Sequence, residues 1–114
     1  MFNMSQKHIA ELYYIAMNDK DLDKASSYFH EKITLKTPMT TLSSKKEVAE
    51  AARNFSKIFE SLTVREVVGN GDRVVVIYDL KTSIGVISTA SLISCKNELI
   101  LSIELFYDTR PFLQ

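Results

Sequence analysis

From residue 63 to residue 108, apolar side chains recur at nearly every second position, and only short turn-forming segments interrupt them. A period of two is the mark of strands. Successive strands joined by tight turns pair antiparallel, because a parallel pair would need a long crossover between them. The runs are 63–68, 73–82, 86–95 and 98–108, rich in Val, Ile, Leu and Tyr. Gly69-Asn70-Gly71-Asp72 separates the first two, and Asn-Gly accepts positive φ at little cost, a strong hairpin signal. Ile84-Gly85 and Lys96-Asn97 mark the remaining turns.

The first half of the chain follows a different period. Ile9, Leu12, Tyr13 and Ala16 make an i, i+3, i+4, i+7 stripe, which predicts a helix over 5–18. Asp21 can cap a second, shorter helix whose apolar edge is Leu22, Ala25 and Phe29. Ile33 and Leu35 alternate with Thr34 and Lys36, a strand over 32–37 that Pro38 ends. Ser44-Lys45-Lys46-Glu47 has the form of a capping box. Val48, Ala51, Ala52, Phe55, Ile58, Phe59 and Leu62 follow it at helical spacing, so a third helix spans about 45–61. The order helix, helix, strand, helix, then four strands predicts an α+β fold: three helices packed on a curved antiparallel sheet. The 114 residues make one domain, 1–114, and at 46% hydrophobic they can bury a core without staples.

Several function classes are excluded. Fourteen basic and fourteen acidic side chains balance, so no global field attracts nucleic acid or an anionic membrane. Cys95 stands alone, which rules out an internal disulfide and a cysteine metal cluster and fits a reducing, cytoplasmic compartment. Met1-Phe2-Asn3-Met4-Ser5 lacks a basic region followed by an apolar run, so no signal peptide is expected. No apolar run approaches the ~20 residues of a membrane helix. His8 and His30 are far apart in sequence, and no metal site is expected. His30, at the end of the second helix, reads as a partner of the helix dipole. With three glycines and no phosphate-binding fingerprint, no cofactor is expected.

The sheet carries apolar residues on both faces. Val74-Val75-Val76-Ile77 is apolar on either side. In the last strand Leu99, Leu101, Ile103, Leu105 and Tyr107 form one wholly apolar side, while Ile100, Ser102, Glu104, Phe106 and Asp108 form a mixed one. Three helices cover one face of a sheet this size. A second copy of the chain is the economical cover for the other, which predicts a homodimer joined through the sheet.

Tyr13-Tyr14-Ile15-Ala16-Met17-Asn18-Asp19-Lys20-Asp21-Leu22-Asp23, then Tyr28-Phe29-His30-Glu31 and Thr34-Leu35-Lys36-Thr37-Pro38, resembles the opening of nuclear-transport-factor-2-like proteins. The closing run Leu99 to Asp108 resembles the last strand of the polyketide-cyclase-like (SnoaL-like) branch. The resemblance implies a cone-shaped, cystatin-like roll, a pocket open at one end, and dimerisation through the outer face of the sheet. It does not imply one activity, since the fold hosts isomerases, cyclases, dehydratases, hydrolases and binders.

Ketosteroid isomerase aligns best with the opening, and the comparison argues against its chemistry here. Tyr13 matches its oxyanion-binding tyrosine, but Thr37 stands where the base should be and Ala90 or Ser91 where the second acid should be. A hydroxyl without an activating partner does not act as a base near neutral pH. Asp108 and Glu104 share the mixed side of the last strand. If that side is concave, Asp108 is the candidate general base and Tyr13 a hydrogen-bond donor in cofactor-free proton transfer on a small hydrophobic ligand. If it is convex, or if Asp108 pairs with Arg110, both carboxylates are surface groups. The expected pocket lining is Tyr13, Met17, Phe55, Phe59, Glu104, Phe106 and Asp108. The rival reading is a non-catalytic dimeric binding or accessory domain whose pocket is closed by Phe55 and Phe59.

Overall fold

The computed structural model describes residues 5–112, the Asn70 side chain excepted. Met1–Met4, the greater part of the stretch read above as lacking a signal sequence, and residues 113–114 lie outside them. Helix α1 (Gln6–Asn18) starts where the Ser5 hydroxyl accepts the His8 N–H at 3.1 Å, and α2 (Leu22–Ser27) where Asp21 accepts the Lys24 N–H at 3.1 Å. Strands β1 (Phe29–Lys36) and β2 (Thr41–Ser43) form a hairpin, followed by α3 (Lys45–Ser56). Half of the capping box at its start is formed: the Glu47 N–H donates to the Ser44 hydroxyl, while the Glu47 carboxylate accepts the Ser43 N–H and the Ser44 N–H goes to the Ile33 carbonyl. Then come β3 (Ser61–Asn70), β4 (Arg73–Thr82), β5 (Gly85–Lys96), β6 (Leu99–Tyr107) and a 3-10 turn at Arg110–Phe112.

Three local expectations need correction, and one short strand was not read from the sequence. The second helix stops before Phe29, which opens β1 instead. His30 therefore sits in a strand, where its Nδ1 accepts the Lys32 N–H at 3.0 Å, and meets no helix end. The third helix ends at Ser56, five residues early, because its last turn tightens into i, i+3 bonds from Lys57 to Asn54 and from Ile58 to Phe55. Strand β2 is three residues long, too short for a period to show.

The six strands lie in the order β2-β1-β6-β5-β4-β3. All neighbours are antiparallel except β1 and β6, which run parallel and bring the first strand beside the last. The β3–β4 turn has Gly71 at φ 64°, and Asn97 and Glu98 both take positive φ in the two-residue turn between β5 and β6.

Helix α1 lies against the sheet with Ile9, Ala10, Tyr13, Tyr14, Ala16 and Met17 buried. Facing it are Val74, Val76, Tyr78 and Leu80 of β4, Ile93 of β5, and Ile100 and Ile103 of β6. Each fully buried aliphatic side chain of this kind contributes about 1.5–3 kcal/mol.

A bulge in β6 decides which side of that strand is inside. Ile100 pairs with Cys95, but Ser102 pairs with Ser94, so Leu101 is an extra residue. The alternation therefore slips by one: Ile100 and Ile103 are both buried on the helix side. Beyond the bulge, Ile103 and Leu105 face the helices, and Ser102, Glu104 and Phe106 face outward. This reverses the concave orientation entertained for the mixed side, because the strand's dry side is covered by the chain's own helices. A second bulge at Arg65 of β3 adds to the curvature.

The outward face carries two apolar rows in register, Val68–Val75–Leu92 and Ile77–Ala90–Phe106. Val68 and Phe106 remain about half exposed, at 51% and 50%.

Candidate functional site

Between α1, α3 and the concave face lies a small cavity of about 40 Å³. Tyr13, Tyr14 and Met17 line it from α1, Val48, Ala52 and Phe55 from α3, and Leu35, Leu62, Tyr78, Ile103 and Leu105 from the sheet. It has space for about three water molecules. No carboxylate, histidine, lysine or arginine is in that wall, and its polar atoms come from tyrosines.

Those tyrosines form a connected group. The rings of Tyr13 and Tyr14 meet edge-on at 4.8 Å, and Tyr14 lies 4.7 Å from Tyr78. The Tyr14 hydroxyl donates to the buried Ser91 hydroxyl at 2.8 Å. Burial pushes the pKa of the Tyr13 hydroxyl far above the ordinary value. Burial does the same to Tyr14 and Tyr78. All three are neutral donors across the physiological range. Thr89, beside Tyr78 in register and 3% exposed, has a buried Oγ1 without a partner among the described residues.

A larger, open cleft of about 420 Å³ adjoins the end of the sheet. Its walls are Ile58, Phe59, Ile84 and Phe112, with Lys57, Glu60, Thr82 and Ser83 around them.

With this geometry in hand, comparison with known proteins becomes informative. The sequence pattern of the SnoaL-like domain matches residues 10–97, most of the chain. The chain belongs to the SnoaL-like domain family. Its fold is shared by a nuclear-transport-factor-2-like protein of unknown function from Cytophaga hutchinsonii, with a TM-score of 0.85, 18% identity and 100% of each chain covered. A protein with a cystatin-like fold from Silicibacter pomeroyi gives 0.83 at 15% identity, covering 93% of this chain and 77% of that one. A protein with a ketosteroid isomerase-like fold from Catenulispora acidiphila, solved with trimethylamine, gives 0.76 at 15% identity, covering 91% and 88%. At such identities the likeness concerns the fold alone. The comparison with curated proteins finds no match.

Within this SnoaL-like domain the residues singled out from sequence separate. Tyr13, Met17 and Phe55 lie on the cavity wall. Phe59 lies on the wall of the outer cleft instead. Glu104 and Phe106 point out from the convex face, where Glu104 is 3.8 Å from Lys36. Asp108 lies beyond the end of β6, exposed, and Arg110 grips it: Nε donates to both carboxylate oxygens at 3.0 and 2.9 Å, and the Arg110 N–H donates at 3.0 Å. These bonds hold its carboxyl down at about 2. Of the arrangements open for Asp108, the structure forms the surface pair with Arg110 and not a desolvated carboxylate beside Tyr13, the chain turning at Arg110–Phe112.

The other positions of the SnoaL-like chain have local roles. Thr37 uses Oγ1 to accept the Met39 and Thr40 N–H groups at 3.1 and 3.0 Å, a turn cap after β1. Of Ala90 and Ser91, Ser91 faces the cavity side and Ala90 the outside. Asn18 accepts the Leu62 N–H at 2.9 Å, and Lys20 donates to the carbonyls of Phe59, at 2.6 Å, and Ser56. The Asn18–Asp21 turn therefore ties α1 to the α3–β3 link. Cys95 is half-buried, which pushes its thiol up to about 11. Asp79 pairs with Arg65 at 3.2 Å and accepts from the Ser88 hydroxyl at 2.8 Å. Among the described residues, no group of three metal-ligating side chains converges, and no helix is long and apolar enough to cross a membrane.

Tyr14 and Tyr78 were not singled out from sequence. A signal existed: Ala10, Tyr14 and Met17 make a second i, i+4, i+7 stripe beside the one read first. In β4, Tyr78 shares a side with Val74, Val76 and Leu80.

Proposed function

We propose that this SnoaL-like chain is a small-molecule-binding domain that works as a homodimer, its cone serving to hold a neutral apolar ligand rather than to move protons. The observation that carries this reading is the composition of the cavity wall: three tyrosine hydroxyls and eight apolar side chains, with no group able to act as a base near neutral pH. Asp108, the earlier candidate base, is committed to Arg110 at the surface. A hydroxyl donor in an apolar wall selects for a ligand with one hydrogen-bond acceptor on a hydrocarbon body. The homodimer is supported by the convex rows Val68–Val75–Leu92 and Ile77–Ala90–Phe106, which leave an apolar surface without cover.

Phenol is a suitable probe, being one ring with one hydroxyl; its seven heavy atoms exceed the space of about three waters in the closed cavity, so its binding requires the rings of the wall to give way. Calorimetric titration should show one phenol per chain, and Ala52→Leu, which grows a side chain into the cavity, should abolish binding. Equal binding to both proteins, or none to either, would remove the cavity as the ligand site.

A further inference from the structure

The inner cavity and the outer cleft are divided by a pair of rings. Phe55 belongs to the wall of the first and Phe59 to the wall of the second. Their centroids are 5.6 Å apart, with the planes tilted by 59°. Phe59 is held by Lys20, whose Nζ stands 3.5 Å from the ring centroid and donates to the backbone carbonyls of Phe59 and Ser56. The ring that closes the cavity is thus pinned by one exposed cation, at the irregular link between α3 and β3.

We propose that Phe55 and Phe59 are a movable partition held by Lys20, and that cavity and cleft together are one site for a flat, two-ring apolar molecule bearing a single neutral hydrogen-bonding group. This rests on the small-molecule reading above and extends it to the size of ligand and its route of entry. The cleft alone, at about 420 Å³, is already within the range of about 300–1,000 Å³ that small-molecule sites occupy. Ile58, Ile84 and Phe112 give its walls the apolar character that a ring requires. The inner end supplies the polar contact: Tyr13, Tyr14 and Tyr78 are the polar side chains of its wall, and each phenol hydroxyl is neutral. No charged side chain lines the inner end, so the group placed there is neutral. Ring rotation at Phe55 and Phe59 needs no backbone rearrangement.

The test is a titration with 2-naphthol followed by carbon-13 methyl NMR. Met17 reports on the inner cavity, and Ile58 and Ile84 on the cleft. In the unaltered protein, all three methyls should shift with one ligand per chain. In Lys20→Met, which removes the cation from an exposed position, association should be at least about two- to fivefold faster, the worth of one exposed cation–ring contact, with the two lost carbonyl bonds adding to it. Shifts confined to Ile58 and Ile84, or an association rate unchanged in Lys20→Met, would overturn the partition. If phenol shifts Met17 while 2-naphthol binds nowhere, the partition fails and the small-molecule reading stands. If neither compound shifts Met17, both fail.

Discussion

At the scale of single residues, environment separates groups that look alike in sequence. Alternation left open whether Asp108 meets Tyr13 or pairs with Arg110, and in the structure one is a surface ion pair and the other a buried phenol. The Asp108 carboxyl is held at about 2 against an ordinary 3.8, chiefly by the Arg110 side-chain hydrogen bonds. A depressed carboxylate contributes its stabilisation above the unfolded value and loses it as pH falls through the folded one. The pair should therefore be intact above about pH 4, half-broken near pH 2 and lost below it. An NMR titration should show the Asp108 midpoint near 2 in the wild type and raised toward 3.8 in Arg110→Ala, where only the backbone N–H bond is left to hold it down; a midpoint unmoved by Arg110→Ala would refute the pairing. Tyr14→Phe tests the interior in the same way. It leaves the Ser91 hydroxyl buried without its donor, which should destabilise the fold by about 1–3 kcal/mol in chemical denaturation. A loss well under 0.5 kcal/mol would mean that Ser91 finds another partner.

At the scale of elements, the periods of the sequence were legible, and the exceptions to them were not. The α1 stripe, the capping box at Ser44, the Asn70-Gly71 hairpin and the four-strand run are all where local chemistry puts them. Alternation left open which side of β6 faces inward, and one extra residue, Leu101, puts Ile100 on the same side as Ile103 and Leu105. No local propensity marks that bulge, which lies in a strand paired antiparallel with β5 on one edge and parallel with β1 on the other. The same limit applies to the Asn18–Asp21 turn. Its residues are visible in the sequence, but their task, reaching across to Leu62, Ser56 and Phe59, is a long-range one. Asn18→Ala should leave the Leu62 N–H unpaired and lower stability by about 1–3 kcal/mol. Unchanged stability would show that water takes the place of the side chain.

At the scale of the whole molecule, the account has an inside and an outside. Outside, the two apolar rows of the convex face are proposed to meet their copies in a second chain, burying on the order of 1,000 Å² or more. Phe106→Glu puts a charge in that surface without touching the core, and light scattering at tens of micromolar should then find a monomer where the wild type is a dimer. A monomeric wild type would end that proposal. Inside, the central claim is that the cone holds a ligand without acid–base chemistry. If so, nothing in its wall titrates near neutrality: the carboxylates and both histidines lie elsewhere, and the tyrosines are held neutral by burial. The direct measurement is the affinity of phenol from about pH 5 to pH 8, where the probe itself stays neutral and an ordinary carboxylate or imidazole would begin or end its titration. The account predicts a flat profile, unchanged in Asp108→Asn. An affinity that rises or falls through a midpoint in that interval, and loses the dependence in Asp108→Asn, would put a working carboxylate back in the site and contradict it.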